Sequence, residues 1–256
     1  AFFVLSNPKL RRELSFNHEW HIGTADPKYF AYDLSFYYNT YKDYIEPLYG
    51  VQKVFLDGQN RDIAYSINEN KKNARLWGID FSTSLFLEEL LPQLKRAGQF
   101  MLTGSLNYSE GRFSDGTSML AIQPLKAVLG LDYDLPKERA GISLRANFLK
   151  AKDVDQTRFV KSFYGDEQIS QFPYYFFQNA VTVDLFAYVK LAKHFTLRAS
   201  IMNLTDTRYW LWDDIRQLIS PVMLVQHSDF FRGGLESVIR FSQPRRYANL
   251  SLEFKL

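Results

Sequence analysis

The sequence has no cysteine, which rules out a disulfide framework and any thiolate metal site. It also lacks an apolar run near the roughly 18 residues that a membrane-spanning helix requires, so a helical membrane protein is excluded. No charge of one sign dominates: 31 basic and 28 acidic residues leave +3, and the electrostatic footprint of a nucleic-acid binder is missing. A positioned nucleophile, as a barrel lipase or protease needs, is missing too, and no enzymatic activity is expected. The opening Ala1-Phe2-Phe3-Val4-Leu5 has no basic residue before it and is too short for a signal-peptide core. Either a leader was removed or the chain begins partway through a larger protein.

Aromatic residues are plentiful, at 16% of the chain, and apolar residues reach 46% although the mean hydropathy is only −0.26. That combination suits strands that hide apolar residues in alternation with polar ones, as transmembrane barrels do. Period-two alternation recurs over segments of about ten residues, the length a tilted strand needs to cross a bilayer. Leu14, Phe16, His18, Trp20 and Ile22 share one face while Ser15, Asn17, Glu19, His21 and Gly23 share the other. Nine segments follow this rule, near 14–24, 28–40, 74–87, 98–110, 124–135, 139–150, 180–190, 195–204 and 246–256. Short connections (25–28, 136–139, 191–194, with a medium one at 88–98) alternate with long ones (41–73, 111–123, 151–179, 205–245). Short turns on one side and long loops on the other predict an all-β transmembrane antiparallel barrel with periplasmic turns and extracellular loops. A soluble sandwich has shorter strands and no such one-sidedness. Bacterial single-chain barrels have even strand counts, so nine strands are expected to close only with a partner sequence.

Several motifs stand in a telling order. Near the start is Asn7-Pro8-Lys9-Leu10-Arg11-Arg12-Glu13; Ala74-Arg75-Leu76-Trp77-Gly78-Ile79-Asp80 opens the third segment. Asn203-Leu204-Thr205-Asp206-Thr207-Arg208-Tyr209 ends the penultimate one and runs into Trp210-Leu211-Trp212-Asp213-Asp214-Ile215-Arg216, and Gln243-Pro244-Arg245-Arg246-Tyr247 precedes the last. From Asn7 to Leu256 the chain resembles TonB-dependent outer-membrane receptors, and the stretch from Trp210 to Arg216 resembles the branch that takes up haem from haem-carrying proteins. Arg12 and Arg245 depart from the family's Pro and Gly, and Leu256 from its usual terminal Phe. The resemblance implies the C-terminal nine strands of a 22-stranded plugged barrel. It also implies that residues 1–256 lack the plug, and that import is driven by the TonB-ExbB-ExbD energy-coupling complex acting through that plug. The partners it implies are haem or a haem-carrying protein, the remaining N-terminal part of the same receptor, and outer-membrane lipid. Haem would be the transported ligand, with no permanently bound cofactor. A siderophore receptor is the nearest alternative within the fold; a passive porin or adhesin lies outside it.

Haem iron is held by His or Tyr, and a surface that grips a carrier favours aromatic and Arg side chains. The long loops supply Tyr174, Tyr175, Trp210, Trp212, Arg216, His227, Phe230 and Phe231 as candidate ligand contacts, and His227 is the one histidine inside a long loop. Aromatic residues beside strands also serve as interface anchors, so the Trp pair has a purely structural alternative. His18 and His21 lie three apart and face opposite sides of a strand, which prevents them from sharing a metal ion. Asp132 and Asp134 share a face and read as lumen lining.

Overall fold

The computed structural model describes residues 2–25, 27–70, 73–119, 121–152, 178–216, 239 and 241–255. In chain order the strands are β1 (Phe2–Leu5), β2 (Leu14–Gly23), β3 (Phe30–Lys42), β4 (Ile45–Leu56), β5 (Gln59–Asn70), β6 (Ala74–Phe86), β7 (Gln99–Phe113), β8 (Lys126–Asp134), β9 (Ala140–Leu149), β10 (Ala180–Ala192), β11 (Phe195–Met202) and β12 (Tyr247–Phe254). Nine of them form one antiparallel sheet in the order β12-β11-β10-β9-β8-β7-β6-β3-β2. Chain neighbours are sheet neighbours throughout except at β3 and β6, between which β4 and β5 depart. Among the described residues β2 and β12 each pair on one side only.

The cross-strand register keeps apolar residues in rows on one face: Leu34 opposite Phe81, Leu131 opposite Leu144, Leu144 opposite Leu185, Ala199 opposite Leu250. That face is bare. Leu129 is 69% exposed and Leu250 73%, with Trp20, Ile142, Leu252 and Phe254 exposed beside them. A sandwich would bury such a face under a second sheet. The buried apolar residues instead are Ala74, Phe113, Met119, Ala180 and Trp212, all at the long-connection end, and Ile63 in β5. Among the described residues the apolar face is left open along the sheet with no core behind it, as in a sheet whose solvent on that side is lipid.

At the short-connection end the medium segment folds into α1 (Leu87–Leu90) and a 3₁₀ turn (Pro92–Arg96), while a second 3₁₀ turn (Pro136–Glu138) joins β8 to β9. At the other end the strands run further than their alternation indicates, β3 to Lys42 and β7 to Phe113. The main correction concerns the long connection 41–73, which is not an open loop. It is the β4–β5 hairpin, closed by Asp57 and Gly58 at φ +52° and +77°, the left-handed pair of a two-residue type I′ turn. Pro47 and Gly50 interrupt the alternation within β4, which is why the pattern fails to announce it. β4 tolerates Pro47 because it is an edge: β1 pairs in parallel with β5 on the hairpin's other side.

Candidate functional site

The long-connection rim is built from the sequence motifs. Asn7 holds the turn around Pro8, accepting the Lys9 N–H on its Oδ1 at 3.0 Å and the Leu10 N–H on its carbonyl at 3.2 Å. Its Nδ2 donates to the Asn68 carbonyl at 2.9 Å, so the turn grips β5. Asn70 continues the grip, donating to the carbonyls of Arg11 and Asp43 at 2.9 and 2.8 Å and accepting the Arg11 N–H at 2.6 Å. Glu13 accepts the Ile45 N–H at 2.8 Å, and Arg11 meets the Asp43 carboxylate at 2.5 Å. Three residues of one motif, Asn7, Arg11 and Glu13, therefore fasten both legs of the hairpin where it leaves the sheet. Beneath it Ala74, Phe113 and Met119 pack with Tyr41, Tyr44 and Ile122. Gly78 lies one turn of the pleat lower. A Cβ there would overlap the Tyr37 ring and stand 2.6 Å from the Tyr108 carbonyl oxygen, so the position takes only glycine without displacement.

A second clamp joins the ends of the connection between β11 and β12. Asn203, 3% exposed and at φ +54°, donates to the carbonyls of Thr207 and Pro244 at 2.8 and 3.3 Å and accepts the Thr207 N–H at 3.0 Å. The Leu204 N–H reaches back to the Val183 carbonyl at 2.7 Å, and Gln243 donates to the Tyr209 carbonyl at 2.9 Å. Asp206 takes both guanidinium nitrogens of Arg245, at 3.0 and 2.5 Å, and the Arg246 N–H at 3.1 Å. The Arg246 N–H first, and then the Arg245 guanidinium, hold the Asp206 carboxyl below the usual carboxylate range. Burial pushes the Tyr209 phenol upward.

The sheet face opposite the apolar one carries a ladder of polar pairs. His21 meets Ser35 and Asp33 at 3.1 Å each, and Asn107 bonds Asp80. Arg145 and Ser143 bond Asp132 at 2.6 and 2.5 Å, while Tyr188 donates to Asp134 at 2.6 Å. Asn147 donates to Asp184 at 2.9 Å; Asp184 also takes the Asn203 N–H at 2.8 Å, tying the ladder to the rim clamp. His18 lies on the apolar face, stacked on Trp20 at 5.6 Å, so the two histidines are indeed on opposite sides. No group of His, Asp and Glu suited to a metal ion occurs among the described residues.

Comparison with known proteins gives this architecture a family. Residues 1–204 match the family described as TonB dependent receptor-like, beta-barrel. The chain belongs to that family. It is 28% identical over 99% of its length to the hemoglobin-haptoglobin utilization protein B of Neisseria meningitidis serogroup C, of which it covers 32%. It is 30% identical over 73% of its length to the hemoglobin and hemoglobin-haptoglobin-binding protein A of Haemophilus influenzae, covering 17% of that protein. The copper transporter OprC shares its fold with a TM-score of 0.63 at 16% identity, over 96% of this chain and 32% of OprC. The chain thus spans about a third or less of these proteins.

In this TonB-dependent receptor barrel the motif positions Asn7, Glu13, Gly78, Asn203, Asp206 and Pro244 are architectural. Gly78 makes room for Tyr37, and the others fasten a hairpin and a loop to the rim of an outer-membrane sheet. The candidate contacts fare differently. Trp212, which opens α2 (Trp212–Arg216), is 5% exposed with Lys152 Nζ 5.7 Å from its ring centre, the packing of a structural pin. Lys152 is itself buried and donates to the Ile122 carbonyl at 2.8 Å, so the pin ties three connections together. Trp210 is half-buried; Arg216 closes α2. Tyr174, Tyr175, His227, Phe230 and Phe231 lie outside the described residues. The β4–β5 hairpin, which the alternation missed, adds an exposed Phe55 at its tip, and the dipeptide Asp57-Gly58 was the signal that pointed to it.

Proposed function

We propose that this chain is the barrel segment of an outer-membrane receptor that takes haem from a host or secreted haem-carrying protein, with its long connections extracellular and its C-terminus periplasmic. The observation that carries the reading is identity of 28% over 99% of the chain with a protein named for hemoglobin-haptoglobin utilization. The anchored rim is consistent with it: two long connections are clamped at their bases by side-chain hydrogen bonds, which lowers the ordering cost of binding. Energy would come from the TonB-ExbB-ExbD complex acting through a plug in the same receptor, and haem would be cargo. No bond is made or broken.

Contact with the carrier is assigned to Trp210, Arg216, Tyr174, Tyr175, Phe230 and Phe231, with His227 as a haem ligand. Deleting residues 218–231 from the complete receptor, leaving Trp210, Trp212 and Arg246 to hold the rim, tests the assignment. Carrier binding is expected to fall at least tenfold at normal surface level, a loss of about 1.4 kcal/mol, within the reach of one aromatic or Arg hot spot. His227→Ala should abolish the haem absorption shift while carrier binding persists. Unchanged binding after the deletion removes this loop from the site.

A further inference from the structure

The apolar face of the sheet ends, at the long-connection rim, in a row of cations. Register places Thr40, Arg75 and Arg112 directly across from one another, and one step below it Tyr38, Trp77 and Glu110. Below those come Phe36, Ile79 and Tyr108, the start of the lipid-facing band. Lys42, opposite Leu14, stands on the same face one step above. Arg75, Arg112 and Lys42 are all exposed. Tyr38, Arg75, Trp77, Glu110 and Arg112 together line a niche of about 240 Å³.

Two features call for an anion. Arg75 and Arg112 are like charges directly opposite on neighbouring strands, an arrangement that destabilises a sheet unless something sits between them. Glu110 is the one carboxylate in the niche, and Arg112 engages it at 2.5 Å. Arg75 and Lys42 make no close ion pair among the described residues; Arg75 feels the Glu110 carboxylate only at longer range, behind Arg112. The level of the row identifies the anion's source. From Arg75 down to Leu85, at about 3.3 Å per residue and a tilt of about 45°, the sheet descends roughly 23 Å, close to the ~25 Å height of a barrel's apolar band. The cations therefore stand at the headgroup boundary, above a belt of Trp77, Tyr38 and Tyr108.

We infer that this outward niche binds the phosphate of a membrane lipid: Arg75 and Arg112 fork onto the phosphate oxygens, Lys42 adds a point charge, and the aromatic belt below packs on the lipid's upper chain. Phosphatidic acid, the simplest lipid with an exposed phosphate, is the probe. Native mass spectrometry of the complete receptor titrated with phosphatidic acid or phosphatidylcholine should show at least a tenfold preference for the former. In R75Q/R112Q the preference should shrink to within twofold, with K42Q intermediate and R75K/R112K largely restored; a heat-dependent gel shift confirms that each barrel is folded. An unaltered preference in both R75Q/R112Q and K42Q overturns the assignment. So does full displacement of the lipid by millimolar inorganic phosphate, which would make this a site for the free ion.

Discussion

Asp206→Asn keeps the shape of that side chain and removes the charge that gathers Arg245 and Arg246. In the complete receptor it should open the 203–246 connection to protease several-fold faster at neutral pH, with the barrel's resistance to heat unchanged. The pH dependence has a definite sign. Because the folded protein holds the Asp206 carboxyl below its ordinary value of 3.8, the clamp's contribution is complete above that value. It is lost only as pH falls through the lowered one. Cleavage of the unaltered receptor should therefore stay flat from neutral pH down to about 4 and rise below it, while Asp206→Asn shows no such rise. A steep increase between pH 7 and 5 would assign the clamp to another group. At this scale the motif told where Asn203 and Asp206 stand but not what they do. Both sit at positive φ, and their partners at Pro244 and Arg245 are some forty residues away, a pairing that local pattern does not encode.

Among the elements, the strands of the large sheet were legible because one face must be apolar and the other polar, and a period of two has no competing explanation over ten residues. Leu144 and Asn147, on opposite faces of β9, put this to a test. Leu144 lies mid-strand between Leu131 and Leu185, whereas Asn147 bonds Asp184 on the polar side. Leu144→Arg should cost roughly 2 to 4 kcal/mol in reversible unfolding from bilayers, and Asn147→Arg far less, since the new guanidinium finds Asp184. Equal costs would mean that the faces are exchanged. The hairpin β4–β5 escaped because it belongs to a separate three-stranded sheet with β1. Neither of its faces obeys the lipid–lumen alternation, and Pro47 and Gly50 break what pattern remains. Its stability comes instead from the Asp57-Gly58 turn and from long-range bonds to Asn7, Arg11 and Glu13.

For the whole molecule, the open apolar face, the polar ladder behind it and the rim clamps explain how a sheet in lipid holds the bases of its long connections in place. The ladder also reaches the rim. Asp184 belongs both to it and to the Asn203 clamp, so one carboxylate joins the polar face to the rim. The candidate contacts in those connections rest on composition, position and the Trp210 to Arg216 motif, and Trp212 packs against Lys152 as a pin would. The receptor that contains this chain is proposed to capture a haem-carrying protein and pass haem inward. The most direct measurement uses iron-starved cells producing the complete receptor, offered haemoglobin–haptoglobin whose haem and protein carry separate labels. Saturable binding of both labels, followed by entry of the haem label alone and only while the membrane is energised, is the predicted result. Cells that ignore the haem-carrying protein yet bind and import a ferric siderophore would contradict it.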